Sequence, residues 1–151
     1  DSGVSVPTFI WDLHADWRWQ GWRVRALAAV AELDNVDQLN AVANGGPLVG
    51  QASIGERMVG WYGEVGYDVL TLLSEASAQQ LTPFVRWEEF DTQASVPDGF
   101  ASNPANERRV LTMGVAWQPI DQVIVKLDYE DWDNEADSAR DQWNFALGYI
   151  F

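Results

Sequence analysis

The sequence predicts an all-β chain: an antiparallel transmembrane β-barrel with about seven strands visible. Three observations carry that prediction. Segments of about ten residues alternate apolar and polar side chains, the period-two pattern of a strand with one oily and one wet face. The connections between them alternate between shorter turns and longer, more polar loops. Most of the nine tryptophans fall near the ends of the alternating segments, where a bilayer collects them.

Residues 8–20 set Phe9, Trp11, Leu13, Ala15, Trp17 and Trp19 against Ile10, Asp12, His14, Asp16, Arg18 and Gln20. Gln20-Gly21 signals a tight turn, because glycine takes a positive φ at no steric cost. The second strand carries Trp22, Val24, Ala26, Ala28 and Val30 opposite Arg23, Arg25 and Leu27. Residues 26–33 alone would also fit a helix; the arginine alternation and the preceding turn favour a strand. A long connection, 34–57, holds a helical turn or two over 35–43 and then the breaker Gly45-Gly46-Pro47. Further strands are read at 59–69, 81–88, 111–117 and 123–130, the second of these with Pro83 tolerated near its start. The connections are 70–80 (with room for one helical turn), 89–109, 119–121 and 131–141. The seventh strand, 142–151, places Trp143, Phe145, Leu147, Tyr149 and Phe151 opposite Gln142, Asn144, Ala146 and Gly148. An apolar last strand of this kind suits a barrel that closes in a membrane better than a soluble sandwich with an exposed edge.

Composition narrows the function. Cysteine is absent and His14 is the single histidine, so neither a thiolate site nor a multi-histidine metal centre can form. No metal and no cofactor are expected. A net charge of −14 argues against nucleic acid, whose phosphates need a basic patch. The chain has no run of about 18 apolar residues, which excludes a helical span. Asp1-Ser2-Gly3 does not resemble a translation start, so a signal peptide is expected to have been cleaved or to lie upstream. Catalysis finds little support: His14 shares its face with Asp12 and Asp16, yet the nearby hydroxyls of Ser2, Ser5 and Thr8 form no nucleophile elbow. The chain is read as a non-enzyme.

Short turns at 20–21, 70–80 and 119–121 on one side, and loops at 34–57, 89–109 and 131–141 on the other, match the plan of periplasmic turns and extracellular loops. On that topology Trp17, Trp19, Trp22, Tyr67, Trp117 and Tyr149, with Phe151, mark a periplasmic aromatic girdle. Phe9, Trp11, Trp61, Trp87, Tyr129 and Trp143 mark an extracellular one. Between them the outward face is mainly Leu, Val, Ala and Met, the aliphatic band expected of the hydrocarbon layer.

The chain resembles the C-terminal part of Gram-negative outer-membrane porins, whose last strand alternates apolar residues and ends in Phe. More narrowly it is similar to the phosphate-selective (O and P type) porin family. The stretches that carry this resemblance are Gly60-Trp61-Tyr62 with Gly66-Tyr67-Asp68, Leu81-Thr82-Pro83-Phe84-Val85-Arg86-Trp87-Glu88, and Val125-Lys126-Leu127-Asp128-Tyr129. The resemblance implies a barrel of about sixteen strands, a homo-oligomer (usually a trimer) and passage of small anions or other solutes. It also implies that the barrel-assembly machinery reads the terminal strand, with Tyr149 and Phe151 as the signal. Complete bacterial barrels have an even number of strands, so either one strand escapes the alternation or residues 1–151 form one barrel segment, the C-terminal part of a larger barrel; the second is the expectation.

The face opposite the lipid would line the channel. Arg23, Arg25, Arg86 and Lys126 are its anion-guiding candidates; Glu64, Glu88, Asp128 and Glu130 would favour cations. The same residues would also fit a wall-building role by pairing across strands. With Asp12, Asp16, Arg18, Asp68 and His14 the face is mixed, unlike the basic ladder of a phosphate-specific pore. Asp131 to Asp137 resembles a calcium loop but has Ala136 where the turn glycine belongs and Gln142 where the bidentate Glu belongs; it reads as a solvated acidic loop, with a looser calcium site or a divalent-bridged contact with lipopolysaccharide as the alternatives. The expected function is an outer-membrane porin for passive diffusion of small ions or solutes, in contact with outer-membrane lipid and lipopolysaccharide. The alternative is a plugged structural or binding barrel: an anchor, adhesin or assembly partner.

Overall fold

A computed structural model describes residues 3–43, 53–73 and 77–150. Seven strands form one antiparallel sheet in the order of the chain: β1 (Thr8–Trp19), β2 (Trp22–Leu33), β3 (Arg57–Tyr67), β4 (Gln80–Ser95), β5 (Glu107–Ile120), β6 (Val123–Asn134) and β7 (Gln142–Tyr149). The sheet is not closed into a barrel: β1 and β7 are free edges. Each strand lies beside its sequence neighbour, the usual arrangement for consecutive strands. Gln20 (φ 46°) and Gly21 (φ 84°) both take positive φ, the tight hairpin whose twist matches the flanking strands. Residues 26–33, open between helix and strand on sequence grounds, complete β2.

Several boundaries differ from the sequence reading. Residues 89–109 are not one loop, since β4 continues to Ser95 and β5 begins at Glu107. Likewise β6 runs through Asp131-Trp132-Asp133 to Asn134 before its loop begins. The ladder continues there as Glu89↔Arg109↔Asp133 and Asp91↔Glu107. Where both faces of a sheet meet water, the apolar alternation fades although backbone pairing persists. Pro119 and Ile120 belong to β5 rather than to a turn, and the register shifts between Trp117 and Ile120, as fits a proline that cannot donate to the ladder. In the β2–β3 connection, Val36–Ala43 forms a true helix, α1. Its Asn40, 1% exposed, clasps the backbone of Ile54, donating through Nδ2 at 3.1 Å and accepting through Oδ1 at 3.0 Å. Gly45-Gly46-Pro47 lies outside the described residues. Val69–Leu72 is a 3-10 turn after β3. Asp68 caps it, accepting from the N–H groups of Leu70 and Leu81.

Burial across the sheet is inverted relative to a soluble protein. Trp143 and Phe145 are each 71% exposed, whereas Glu64 and Asp128 on the opposite face are 8% and 4% exposed. The sheet curls toward its polar side. A Cβ at Gly114, on that side, would lie 2.6 Å from Asp128 Cβ and 2.7 Å from Phe84 Cζ, while one at Gly63, on the apolar side, would meet nothing within 4 Å. Curvature crowds side chains on a concave face and spreads them on a convex one. Among the described residues no helix is long and apolar enough to cross a membrane, which says nothing of strands.

Candidate functional site

Two surfaces follow from this inversion. The convex surface carries the aromatic residues read as girdles: Trp11, Trp17, Trp19, Trp22, Trp61, Trp87, Trp117, Trp143 and Tyr149 are exposed, and Tyr67 and Tyr129 half-buried. Tyr149 ends β7; its companion Phe151 lies outside the described residues. Rings from adjacent strands touch, with Trp22–Tyr67 centroids at 4.9 Å and Tyr129–Trp143 at 5.1 Å.

The register fixes how the two aromatic bands run. Trp11 sits on the row Trp11↔Val30↔Val59, and Trp61 sits on the row two positions nearer the short turns, with Leu13 and Ala28. Trp87 is two further down, level with Gly63, and Tyr129 and Trp143 two further again, level with Trp17. Trp19, Trp22 and Tyr67 share a row, and Trp117 and then Tyr149 step down from it in the same sense. The first band therefore slips by about one residue per strand and the second by about two-thirds of a residue, in the same sense. With a rise of ~3.3 Å per residue and a strand spacing of ~4.8 Å, one residue per strand corresponds to a tilt of about 35°.

The concave surface carries the candidate channel-lining groups. Register aligns Asp16↔Arg25↔Glu64↔Arg86↔Thr112↔Glu130↔Gln142 in one row, with charges of alternating sign across its first four members. Arg25 pairs across the strands with Glu64, and Arg23 with Asp16 at 3.0 Å. These contacts are of the wall-building kind. Arg86 instead pairs along its own strand with Glu88 at 2.7 Å, and Lys126 with Asp128 at 3.3 Å, contacts that join no two strands. Glu130 accepts from Gln142 of β7 at 2.6 Å and from the Trp132 indole at 2.8 Å. His14 meets Asp12 at 3.2 Å on the exposed β1 edge.

The five cations are brought together. Arg18, Arg23, Arg25, Arg86 and Lys126 all line one depression of about 680 Å³ at the short-turn half of the concave face. Of the acids read on this face, Glu64 and Asp68 line it, while Asp12, Asp16, Glu88, Asp128 and Glu130 lie outside it. The depression therefore gathers five cations and two acids, although Asp16, Asp128 and Glu130 share register rows with those cations.

Aromatic groups on the polar face were not read from the sequence as site residues. The Arg86 guanidinium lies 3.8 Å from the Tyr62 ring centroid and the Lys126 ammonium 4.9 Å from that of Phe84, distances at which a cation is attracted to a ring face. Arg108, read as part of a loop, lies 6.0 Å from Phe90, which meets Trp132 edge-on at 6.2 Å. The signal was present: continuing period two past Glu88 reaches Phe90, and running it back from Val110 reaches Arg108.

At the loop end, Asp141 accepts from the Tyr129 hydroxyl at 2.7 Å and the Trp132 N–H at 3.1 Å. These two donors hold its carboxyl below the ordinary carboxylate range. The acidic stretch forms the end of β6 and a hairpin loop. Among the described residues no group of three or more acids or histidines is arranged to hold a metal ion.

No family model matches the chain, and no solved structure does. An uncharacterized protein of Aquifex aeolicus (strain VF5) is 26% identical over 145 residues, covering 95% of this chain. The chain spans about a third of that relative, 33% of its length.

Proposed function

We propose that the sheet is part of the wall of an outer-membrane porin, a water-filled channel for passive diffusion of small ions or solutes. The observation that carries this reading is the pair of aromatic bands on the convex face, separated mainly by Val, Leu, Ala and Met, with Phe145 between them on β7, and inclined to the strands in the same sense. The tilt of the first band, about 35°, falls at the lower end of the roughly 35–45° of membrane barrels, and the second runs shallower in the same sense. A soluble sheet has no reason to keep two aromatic bands in step across its register. The hydrocarbon layer would cover the convex face, as its apolar surface requires. The charged concave face would meet water, where fixed charges select ions by sign. The resemblance to phosphate-selective porins belongs to the same proposal, as do trimer formation, contact with lipopolysaccharide, and recognition of Tyr149 and Phe151 by the assembly machinery.

Planar-bilayer conductance of the full-length protein tests the reading: discrete openings are expected, and a preparation inserted without ion-permeable openings would rule it out. In a KCl gradient the Arg86→Glu and Lys126→Glu variants are expected to shift the reversal potential toward cation preference. Unchanged potentials would assign both residues to the wall.

A further inference from the structure

The depression at the short-turn half of the concave face has the composition of a binding site. Its floor mixes charge with apolar surface: Phe84, Ala116 and Ile124 lie among the five cations. Ile124 is 42% exposed on a face that is otherwise largely polar. Ala116 brings a small side chain to the row that carries Lys126. A volume of about 680 Å³ is in the range of small-molecule sites.

Its charges are only partly engaged. Glu64 is occupied by Arg25, and Asp68 by the N–H groups of Leu70 and Leu81. Arg18 and Arg23 share the single carboxylate of Asp16. Lys126 and Arg86 rest against ring faces, with single carboxylate partners that lie outside the depression. An anion entering here meets cations first, and an apolar body attached to it finds Ile124, Ala116 and the edge of Phe84.

We propose that this depression binds an organic carboxylate with a compact apolar body. The proposal rests on reading the concave face as water-filled. Inorganic phosphate, with no apolar part, would desolvate Ile124 and Ala116 without covering them favourably. A carboxylate fits the planar fork of a guanidinium, and its hydrocarbon part removes apolar surface from water.

The test is calorimetric titration of the full-length protein in detergent micelles with sodium benzoate, acetate and phosphate at one ionic strength. Benzoate is expected to bind saturably and about tenfold or more tighter than either small anion. Lys126→Gln should weaken benzoate and acetate together. Ile124→Gln, at a position 42% exposed, should weaken benzoate while leaving acetate unchanged. The proposal is overturned by benzoate heats that do not saturate, by phosphate binding as tightly as benzoate, or by indifference to both substitutions, which would mark partition into the micelle. Conductance in KCl on the same preparation separates the two readings. A conducting protein that does not bind benzoate loses only the site, and a benzoate-binding protein that does not conduct loses only the channel.

Discussion

At the scale of single residues, the two glycines on opposite faces carry the clearest physical contrast. Gly114 sits where Asp128, Phe84 and the Leu127 carbonyl converge, with 2.6–2.8 Å to the position a Cβ would take. Gly114→Ala must therefore displace backbone or a packed ring, a cost of about 1–3 kcal/mol for overpacking. Gly63→Ala meets open space on the convex side and should be neutral or stabilising by up to about 1 kcal/mol, since alanine restricts the unfolded chain. Urea unfolding in lipid vesicles measures both. Equal effects would mean that the curvature is not as described. Neither glycine stands out in the sequence, because period two assigns each to a face without saying which face is concave.

At the scale of elements, the β6–β7 hairpin is held at its loop end by Asp141. Its folded pKa is depressed by the Tyr129 hydroxyl and the Trp132 N–H, so the stabilisation it supplies is complete above the ordinary carboxylate value. That stabilisation is lost as pH falls through the lower folded one. A carboxyl-carbon NMR titration should place the Asp141 midpoint below about 3.9, and Tyr129→Phe should move it upward. A wild-type midpoint at the ordinary value would remove the hydroxyl contact from the account. The strands themselves were legible wherever one face is apolar: the start of β1, the Gln20-Gly21 turn and the start of β6 all fall where alternation puts them. Legibility ended where both faces become polar, as in Glu89 to Ser95 and Glu107 to Arg109, which pair as strands while reading as loop. The concave charges were assigned to the correct face but not to partners. Whether Arg86 reaches Glu64 or Glu88 depends on rotamer and on Tyr62, and alternation alone carries neither.

At the scale of the whole molecule, the convex face presents more exposed tryptophan than water tolerates without a cover. The proposed lipid cover has a depth signature. Vesicles with bromine placed at successive acyl positions should quench tryptophan fluorescence most strongly at two shallow depths and least at the midplane, because Trp11, Trp61, Trp87 and Trp143 group on one band and Trp17, Trp19, Trp22 and Trp117 on the other. Uniform quenching would separate the aromatic bands from the membrane interfaces. Quenching absent throughout would remove the bilayer as the partner of this surface.

The unclosed edges have one more consequence. Because all neighbours run antiparallel and the sheet has seven strands, β1 and β7 travel in the same direction. Copies of this sheet joined edge to edge into a ring would therefore meet strand alongside strand in parallel at every seam, breaking the hairpin-like ladder that runs everywhere else. A seamless antiparallel cylinder forms only if an odd number of further strands stands between β7 and β1. On the proposed reading, the first of them would oppose Trp143, Phe145 and Leu147 with apolar groups on the convex side and answer Asn144 and Ala146 with polar or small groups on the concave one. A strand that closed such a cylinder is thereby described in outline, by number parity, direction and face.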